Sequence, residues 1–252
     1  MSGNYQQEDD YDHINNTLIY SSTNIPGPGC NKIDFDSCPN HKCTCTDLCK
    51  ISTCNCIGDT YNYDTLHRII SPNRFINECN EYCACITCQN RVVQLGPRIG
   101  LRITACKKGY GLYTDISIQK GQFICEYAGE IIDLSEAQKR TQLDSDNYIF
   151  VLNEHFFNHM KTTVIDNTYI GNIGRYINHS CQPNCVVVPV RVNSFIPRLA
   201  IFAIIDIGVG EEITYHYGVG NNSSTESSLS KTKCLCSSTN CKGYLPSKTG
   251  LF

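Results

Sequence analysis

Tryptophan is absent from this chain of 252 residues, and methionine occurs only twice. Charge is sparse as well: Asp, Glu, Lys and Arg make up 18% of the residues, for a net charge of −3. Basic residues are scattered, with nothing denser than the pairs Lys107-Lys108 and Lys139-Arg140, which argues against strong direct binding to a nucleic acid backbone. A mildly acidic surface suits a cationic peptide better. No apolar run approaches the roughly 20 residues that cross a bilayer, and no lipidation motif is present, so no membrane association is expected. The opening MSGNYQQEDDYDH has no basic start followed by an apolar stretch, so no secretory signal is expected either. Internal repeats are also missing.

Cysteine, by contrast, is abundant, at 18 residues. Nine of them form the pattern Cys43-x-Cys45-x3-Cys49-x4-Cys54-x-Cys56 followed by Cys79-x3-Cys83-x-Cys85-x2-Cys88. An even total is compatible with disulfides in an exported protein. Against that stand the missing export signal, the strain of a disulfide between cysteines one residue apart, and a length that buries a core without covalent staples. Thiols one to four residues apart converge readily on one ion at the roughly 2.3 Å of a zinc–thiolate bond. Three tetrahedral zincs need twelve ligand positions, which nine thiolates fill if six bind one metal and three bridge two. A trinuclear zinc cluster is therefore expected. The later group Cys234-x-Cys236-x4-Cys241 lacks a fourth ligand for a further zinc, and Cys181 is the best candidate to supply it. Cys30 and Cys38 are extra thiols, and Cys38 competes with Cys43 for a place in the cluster. Cys106, Cys125 and Cys185 read as plain buried residues.

Composition divides the chain into a polar arm (1–29), a thiol-rich segment (30–96), a β-rich body (97–218), a flexible linker (219–233) and a thiol-bearing tail (234–252). The thiol-rich segment shows almost no apolar alternation, so metal rather than a hydrophobic core is expected to hold it. In the body, runs at 122–127, 148–152, 186–192 and 199–204 predict strands between Gly, Pro and Asn punctuation. A single helix is predicted over 134–143, with Ser135 as N-cap and Gln138 three positions on. The Asn-x-Ser/Thr triplets at Asn15, Asn221 and Asn222 read as chance matches in polar segments.

Two stretches of the body draw attention for chemistry. The stretch 171–184 contains Asn178-His179-Ser180-Cys181 amid turn formers, which fits either the lining of a site or an ordinary polar loop with a buried cysteine. In Glu211-Glu212-Ile213-Thr214-Tyr215-His216-Tyr217 the strand period places Ile213, Tyr215 and Tyr217 on one face, which fits either core packing or a site wall.

These elements, together with Cys125-Glu126-Tyr127-Ala128-Gly129-Glu130 and Lys108-Gly109-Tyr110-Gly111, stand in the order found in SET-domain protein lysine methyltransferases. The nine-cysteine segment resembles the pre-SET domain and the tail resembles the post-SET domain of the Su(var)3-9 branch, a likeness covering about residues 38 to 246. The stretches 169–175 and 188–200 are similar to the SET portion of SETMAR-type proteins.

The resemblance implies a mainly β fold, the SET β-clip of small curved sheets. In it residues 178–181 and the Tyr217 strand form a knot-like crossing between a pre-SET zinc cluster and a post-SET zinc segment. It implies transfer of a methyl group from S-adenosylmethionine to a lysine. By similarity Lys108, Gly109, Tyr110, Tyr148, Arg175, Asn178, His179 and Leu235 hold the cofactor, and Tyr217, Tyr127 and Tyr215 form the catalytic channel. Metal ligands are expected at the nine clustered cysteines (three zincs) and at Cys181, Cys234, Cys236 and Cys241 (one zinc). The implied partner is the histone H3 tail on chromatin, with lysine 9 favoured over 36 or 4, mono- or dimethylation as the product, and the nucleus and chromosome as location. The peptide is expected as an added strand between body and tail. An inactive zinc-scaffolded chromatin-binding protein, or methylation of a non-histone protein, are the alternatives. Two residues depart from the family pattern: Tyr110 stands where tryptophan is usual, and His216 where an acidic residue is common.

Overall fold

The computed structural model describes residues 17–38, 42–51, 53–143, 148–156, 159–218 and 232–246. At its centre lie two strands with almost no polar face. β6 (Phe123–Tyr127) is buried at every position and β12 (Arg198–Ala203) at all but its first, so both sides of the sheet are covered and the sequence runs apolar without alternation. They pair antiparallel, β12 pairs with β11 (Cys185–Arg191), and β11 takes the short β3 (Ile76–Asn77) in parallel.

In the second sheet β9 (His159–Gly171) runs between β7 (Gly129–Ile132) and β8 (Ile149–Phe156), so that Ile165 faces Ile131 on one side and Phe150 on the other. The pieces β1 (Ile19–Tyr20) and β2 (Ile25–Pro26) add to β9 and β7 in parallel. A hairpin of β4 (Leu101–Cys106) and β5 (Gly109–Thr114) turns at Lys107-Lys108, and β10 (Asn178–His179) pairs in parallel with β13 (Thr214–Tyr215). Beside these, α1 (Lys32–Asp36) is one short turn and α2 (Leu134–Leu143) covers the second sheet through Ala137. A buried bidentate pair, Arg191 with Glu154 at 3.0 and 2.7 Å, ties β11 to β8.

The four predicted strands and the one predicted helix are present. Three expectations need correction. Residues 17–29 are not a free polar arm: Ser21 N donates to Gly171 O at 2.8 Å and Gly129 N to the Asn24 side chain at 3.2 Å, because backbone groups pair even where two-residue strands leave no side-chain periodicity. The helix is capped by Asp133, whose carboxylate accepts from Glu136 N at 2.7 Å, while Ser135 lies inside the first turn. The thiol-rich segment is not held by thiols alone. Tyr63, Ile76, Val92 and Val93 share a core with Phe123, Val188, Val190 and Phe202 of the central sheet. The first 16 residues, the linker over 219–231, residues 247–252 and the triplets at Asn15, Asn221 and Asn222 lie outside the described residues.

Candidate active site and thiol clusters

The β10–β13 pair creates the site. Asn178 faces Thr214 and His179 faces Tyr215, and Ser180 N continues the ladder to Tyr215 O at 3.1 Å. Asn184 braces the crossing, giving its amide to Glu212 O at 2.8 Å and accepting from Thr214 N at 2.8 Å. Two sequence motifs that lie far apart in the chain are thereby set side by side.

One side of the crossing faces the β4–β5 hairpin. Asn178 Nδ2 donates to Tyr110 O at 2.8 Å and to Glu212 Oε1 at 2.9 Å, and Lys108 Nζ lies 2.6 Å from Glu212. Glu212 thus gathers two predicted cofactor residues, and Asn178 ties in a third, Tyr110. A side chain at Gly111 would meet that carboxylate at 2.8 Å and the Asn178 amide at 3.1 Å, so it would displace the Lys108–Glu212–Asn178 contacts. Gly109, at φ +98°, leaves open space above its backbone, as close approach of a ligand requires. Arg175, in the short turn Ile173–Tyr176, stacks its guanidinium 4.1 Å from the Tyr148 ring centre and donates to Thr168 O at 3.2 Å. Tyr110, Tyr148, Tyr217 and Leu235 remain 43, 41, 39 and 44% exposed. Large side chains left uncovered around fixed polar anchors suit a ligand with an aromatic ring and a charged end, as S-adenosylmethionine has.

Behind this cleft four aromatic rings pack in a row. Tyr127 and Phe150 are 5.8 Å apart, Phe150 and Tyr215 6.2 Å, and Tyr215 and Tyr217 5.0 Å. The Tyr217 hydroxyl donates to Ile177 O at 3.0 Å and that of Tyr127 to Tyr148 O. Desolvation raises all three phenols, Tyr127 and Tyr215 well above their ordinary pKa and Tyr217 less completely because its ring borders the open cleft, so they stay protonated. The carboxylates that press on these phenols are already engaged: Asp166 with Arg140 at 2.8 Å and Thr168 N at 2.9 Å, Glu212 with Lys108 and Asn178.

Tyr217 N donates to His179 Nδ1 at 3.1 Å, and His216 meets the His179 ring edge-on at 4.9 Å. Burial, then the neighbouring His216, Lys108 and Lys242, lower His179 to about 4. The imidazole is therefore neutral at working pH.

All nine clustered cysteines pack into one group around Ile57, and all are free thiols. Sulfur–sulfur distances are 3.7 Å for Cys43–Cys49, 3.6 Å for Cys43–Cys85 and Cys49–Cys79, 3.7 Å for Cys56–Cys83 and 3.4 Å for Cys85–Cys88. A disulfide would require about 2.05 Å. Thiolates at the corners of a zinc tetrahedron lie about 3.8 Å apart, the edge set by a 2.3 Å bond, so the packing suits zinc. Burial pushes the Cys43 thiol up to about 12 and Cys49 up as well, so a cation is needed to keep such a group ionised. Cys181, Cys234, Cys236 and Cys241 form a separate group with sulfurs within 4.8 Å of one another, as a fourth zinc requires.

Cys38 enters none of the four-thiol groups found among the described residues; its sulfur accepts from Asn80 at 3.0 Å. Cys125 and Cys185 are buried and Cys106 is half-buried. Sequence reasoning missed two site residues. Phe150 appears only as part of a strand run, and its place beside Tyr127 and Tyr215 comes from the pairing of β8 with β9. Glu212 was one of two adjacent acids, and only the fold shows which of them Lys108 selects.

Residues 109–218 match the SET domain family. The chain is 42% identical over 234 residues to the probable histone-lysine N-methyltransferase set-23 of Caenorhabditis briggsae, covering 89% of this chain and 95% of that one. The crystal structure of the methyltransferase domain of human histone-lysine N-methyltransferase SETMAR superposes with a TM-score of 0.81 at 38% identity, over 91% of this chain and 89% of that domain. KRYPTONITE, solved in complex with mCHH DNA, an H3(1-15) peptide and SAH, superposes at 0.75 with 27% identity, over 91% of this chain and 48% of its own. With the paired β10–β13 crossing, the aromatic walls and the thiol groups already in place, the chain belongs to the SET-domain histone-lysine methyltransferases, enzymes that use S-adenosylmethionine.

Proposed function

We propose that this enzyme methylates a lysine of histone H3, lysine 9 in preference to 36 or 4, and stops at the mono- or dimethyl stage. The observation that carries the reading is the row of four packed aromatic rings with Tyr215, a buried phenol, inside it. The H3 peptide bound to a relative of the same fold supports the substrate. Nuclear and chromosomal location follows from that substrate. The peptide lies as an added strand between the body and the tail.

S-adenosylmethionine, when bound, supplies an electrophilic methyl group on a sulfonium. Lys108, Gly109 and Tyr110 would line its cleft, Tyr148 and Arg175 its charged end, and the backbone of Asn178 and His179 its adenine, with Leu235 as a cover. The nine clustered cysteines would hold three zincs and the Cys181 group one. These assignments divide the chain into the pre-SET, SET and post-SET parts that the resemblance implies.

A lysine free in water has a pKa near 10.4 and is almost wholly protonated at pH 7. Tyr127, Phe150, Tyr215 and Tyr217 strip its water, and the nearby Asp166 and Glu212 are engaged elsewhere, so neither carboxylate is free to hold the ammonium. The proton leaves to solvent before the amine is enclosed. Tyr217, protonated and tied to Ile177 O, then orients the amine lone pair, and rate comes chiefly from alignment. The Tyr215 hydroxyl occupies room that an already dimethylated amine would need.

The test is methyl transfer by zinc-replete protein to histone H3 and its lysine mutants, read by mass spectrometry. Loss of the signal with one lysine mutant identifies the site. Tyr217→Phe is expected to lower turnover roughly a hundredfold, the order for removing one positioned hydrogen-bonding group from a site, with zinc content unchanged. Tyr215→Phe is expected to move the product toward trimethyl-lysine. Cofactor binding without methylation of H3 would overturn the histone reading and point to another protein substrate.

A further inference from the structure

We propose that the His179 imidazole is a positioning residue that couples metal loading of the tail thiol group to the placement of Tyr217. The inference rests on the reading of Cys181, Cys234, Cys236 and Cys241 as zinc ligands and of Tyr217 as the orienting hydroxyl.

Tyr217 lies beyond the β10–β13 ladder, whose last paired residue is Tyr215. Two hydrogen bonds fix it: its hydroxyl to Ile177 O at 3.0 Å and its backbone N–H to His179 Nδ1 at 3.1 Å. A backbone N–H can only donate, so Nδ1 is the bare nitrogen and the ring proton sits on Nε2. Nε2 lies 3.4 Å from Cys181 Sγ, and the N–H therefore points its proton at that sulfur. The ring has no freedom to turn. It is 3% exposed, with His216 edge-on at 4.9 Å, the Tyr217 ring at 5.4 Å, and its own backbone held between β10 and β13.

A thiol is a weak acceptor with a freely rotating proton of its own. A metal-bound thiolate is an anion at a fixed place, and the same contact becomes a charge-assisted hydrogen bond. One imidazole thus spans from a metal ligand to the backbone of the orienting tyrosine. Zinc at the tail anchors the Nε2 edge of the ring, and the Nδ1 edge anchors Tyr217. If zinc served only to order the tail over the cofactor, its loss would act on cofactor affinity and would not pass through His179.

The two edges separate by substitution. In His179→Asn the amide reaches the Nδ1 position and can accept from Tyr217 N–H but falls short of the sulfur. In His179→Gln it reaches the sulfur and leaves Tyr217 N–H without its acceptor. The full chain, zinc-loaded, is compared with Cys241→Ser in the wild-type and His179→Asn backgrounds. The readouts are zinc stoichiometry, the backbone amide shift of Tyr217 by ¹⁵N–¹H NMR, cofactor affinity by calorimetry, and turnover on histone H3. In the wild-type background Cys241→Ser is expected to move the Tyr217 amide and to lower kcat roughly tenfold or more, the factor carried by a hydrogen bond to a charged group. In the His179→Asn background the same change leaves the amide in place and lowers kcat no further. His179→Gln is expected to lower kcat with zinc content intact.

A Tyr217 amide that moves equally in both backgrounds, or in neither, overturns the coupling. An unchanged zinc count in Cys241→Ser removes the tail site, and the coupling with it. Absence of methylation of H3 would leave the amide readout to decide the coupling, so failure of the substrate reading is distinguishable from failure of the inference.

Discussion

In the thiol group spanning Cys43 to Cys88 the side chains withdrawn from water are cysteines and Ile57, while Tyr63 and Ile76 of the same stretch turn to the β-core; between β6 and β12 the buried groups are Phe123, Ile124, Leu199, Ile201 and Phe202. The β-core gains roughly 1.5–3 kcal/mol for each large side chain buried, a gain present as soon as the sheet closes. The thiol segment gains its stability from ions, on the order of 10 kcal/mol for each structural zinc, and only while the ligands are deprotonated. One region depends on temperature through its apolar surface, the other on metal supply. They nevertheless meet in a shared core, where Tyr63 stacks on Phe202 at 6.2 Å and Phe202 packs on Phe123 at 5.5 Å.

Removing the metal should give the largest effect. Chelation is expected to abolish the order of residues 42–60 and 79–90 while amides of β11 and β12 stay protected in hydrogen exchange. If protection in both strands vanishes in the same step as zinc release, the two regions are one cooperative unit and the contrast fails. Phe202→Ala, at the join, should destabilise by about 3–5 kcal/mol in denaturant unfolding, with zinc still bound by the residual native fraction.

Glu126 sharpens the contrast through pH. Its buried carboxyl in β6 is pushed up to about 7, by burial first, with Arg198 at 3.6 Å opposing and Glu78 adding. The folded state favours the neutral acid. That stability is complete below the ordinary carboxylate range and is lost as pH rises through 7. Relative to Glu126→Gln, the wild type should lose on the order of 2 kcal/mol between pH 5 and 8, measured as a difference in unfolding free energy so that zinc effects cancel. Equal pH slopes in the two proteins would show that the carboxyl is ionised in the fold. The smallest effect is expected from Asp133→Ala, about 1 kcal/mol from the loss of the α2 cap, against no loss for Ser135→Ala.

The apolar strands β6 and β12 were legible because their covering is nearly complete and no alternation is needed, and β11, half-covered at Val186, Val187 and Pro189, was legible as a valine run. The longest strand, β9, was not. Thr163, Asp166 and Asn167 are among its buried residues, so inward and outward positions do not sort by polarity. Asp166 is tolerated inside because Arg140 meets it at 2.8 Å, a partner supplied by a helix elsewhere in the chain. Likewise, Tyr63, Ile76, Val92 and Val93 are too widely spaced among cysteines to announce a core, and only the pairing of β3 with β11 gathers them. The site was more legible than the fold around it. Residues 178–181 and 215–217 carry side chains whose order resembles a known family, whereas Phe150 and Glu212 acquire their places only from tertiary pairing.

Asn178 finds its partner at Thr214, and β11 and β12 lie in the loop between them. The closing of that long loop precedes any reward from the contact, which makes it a late event in folding. A growing chain on the ribosome, or one released short of Thr214, holds all nine thiols of the first group and most of the core yet lacks the β10–β13 pair on which the candidate site is built. Incomplete copies are thereby silent rather than misdirected.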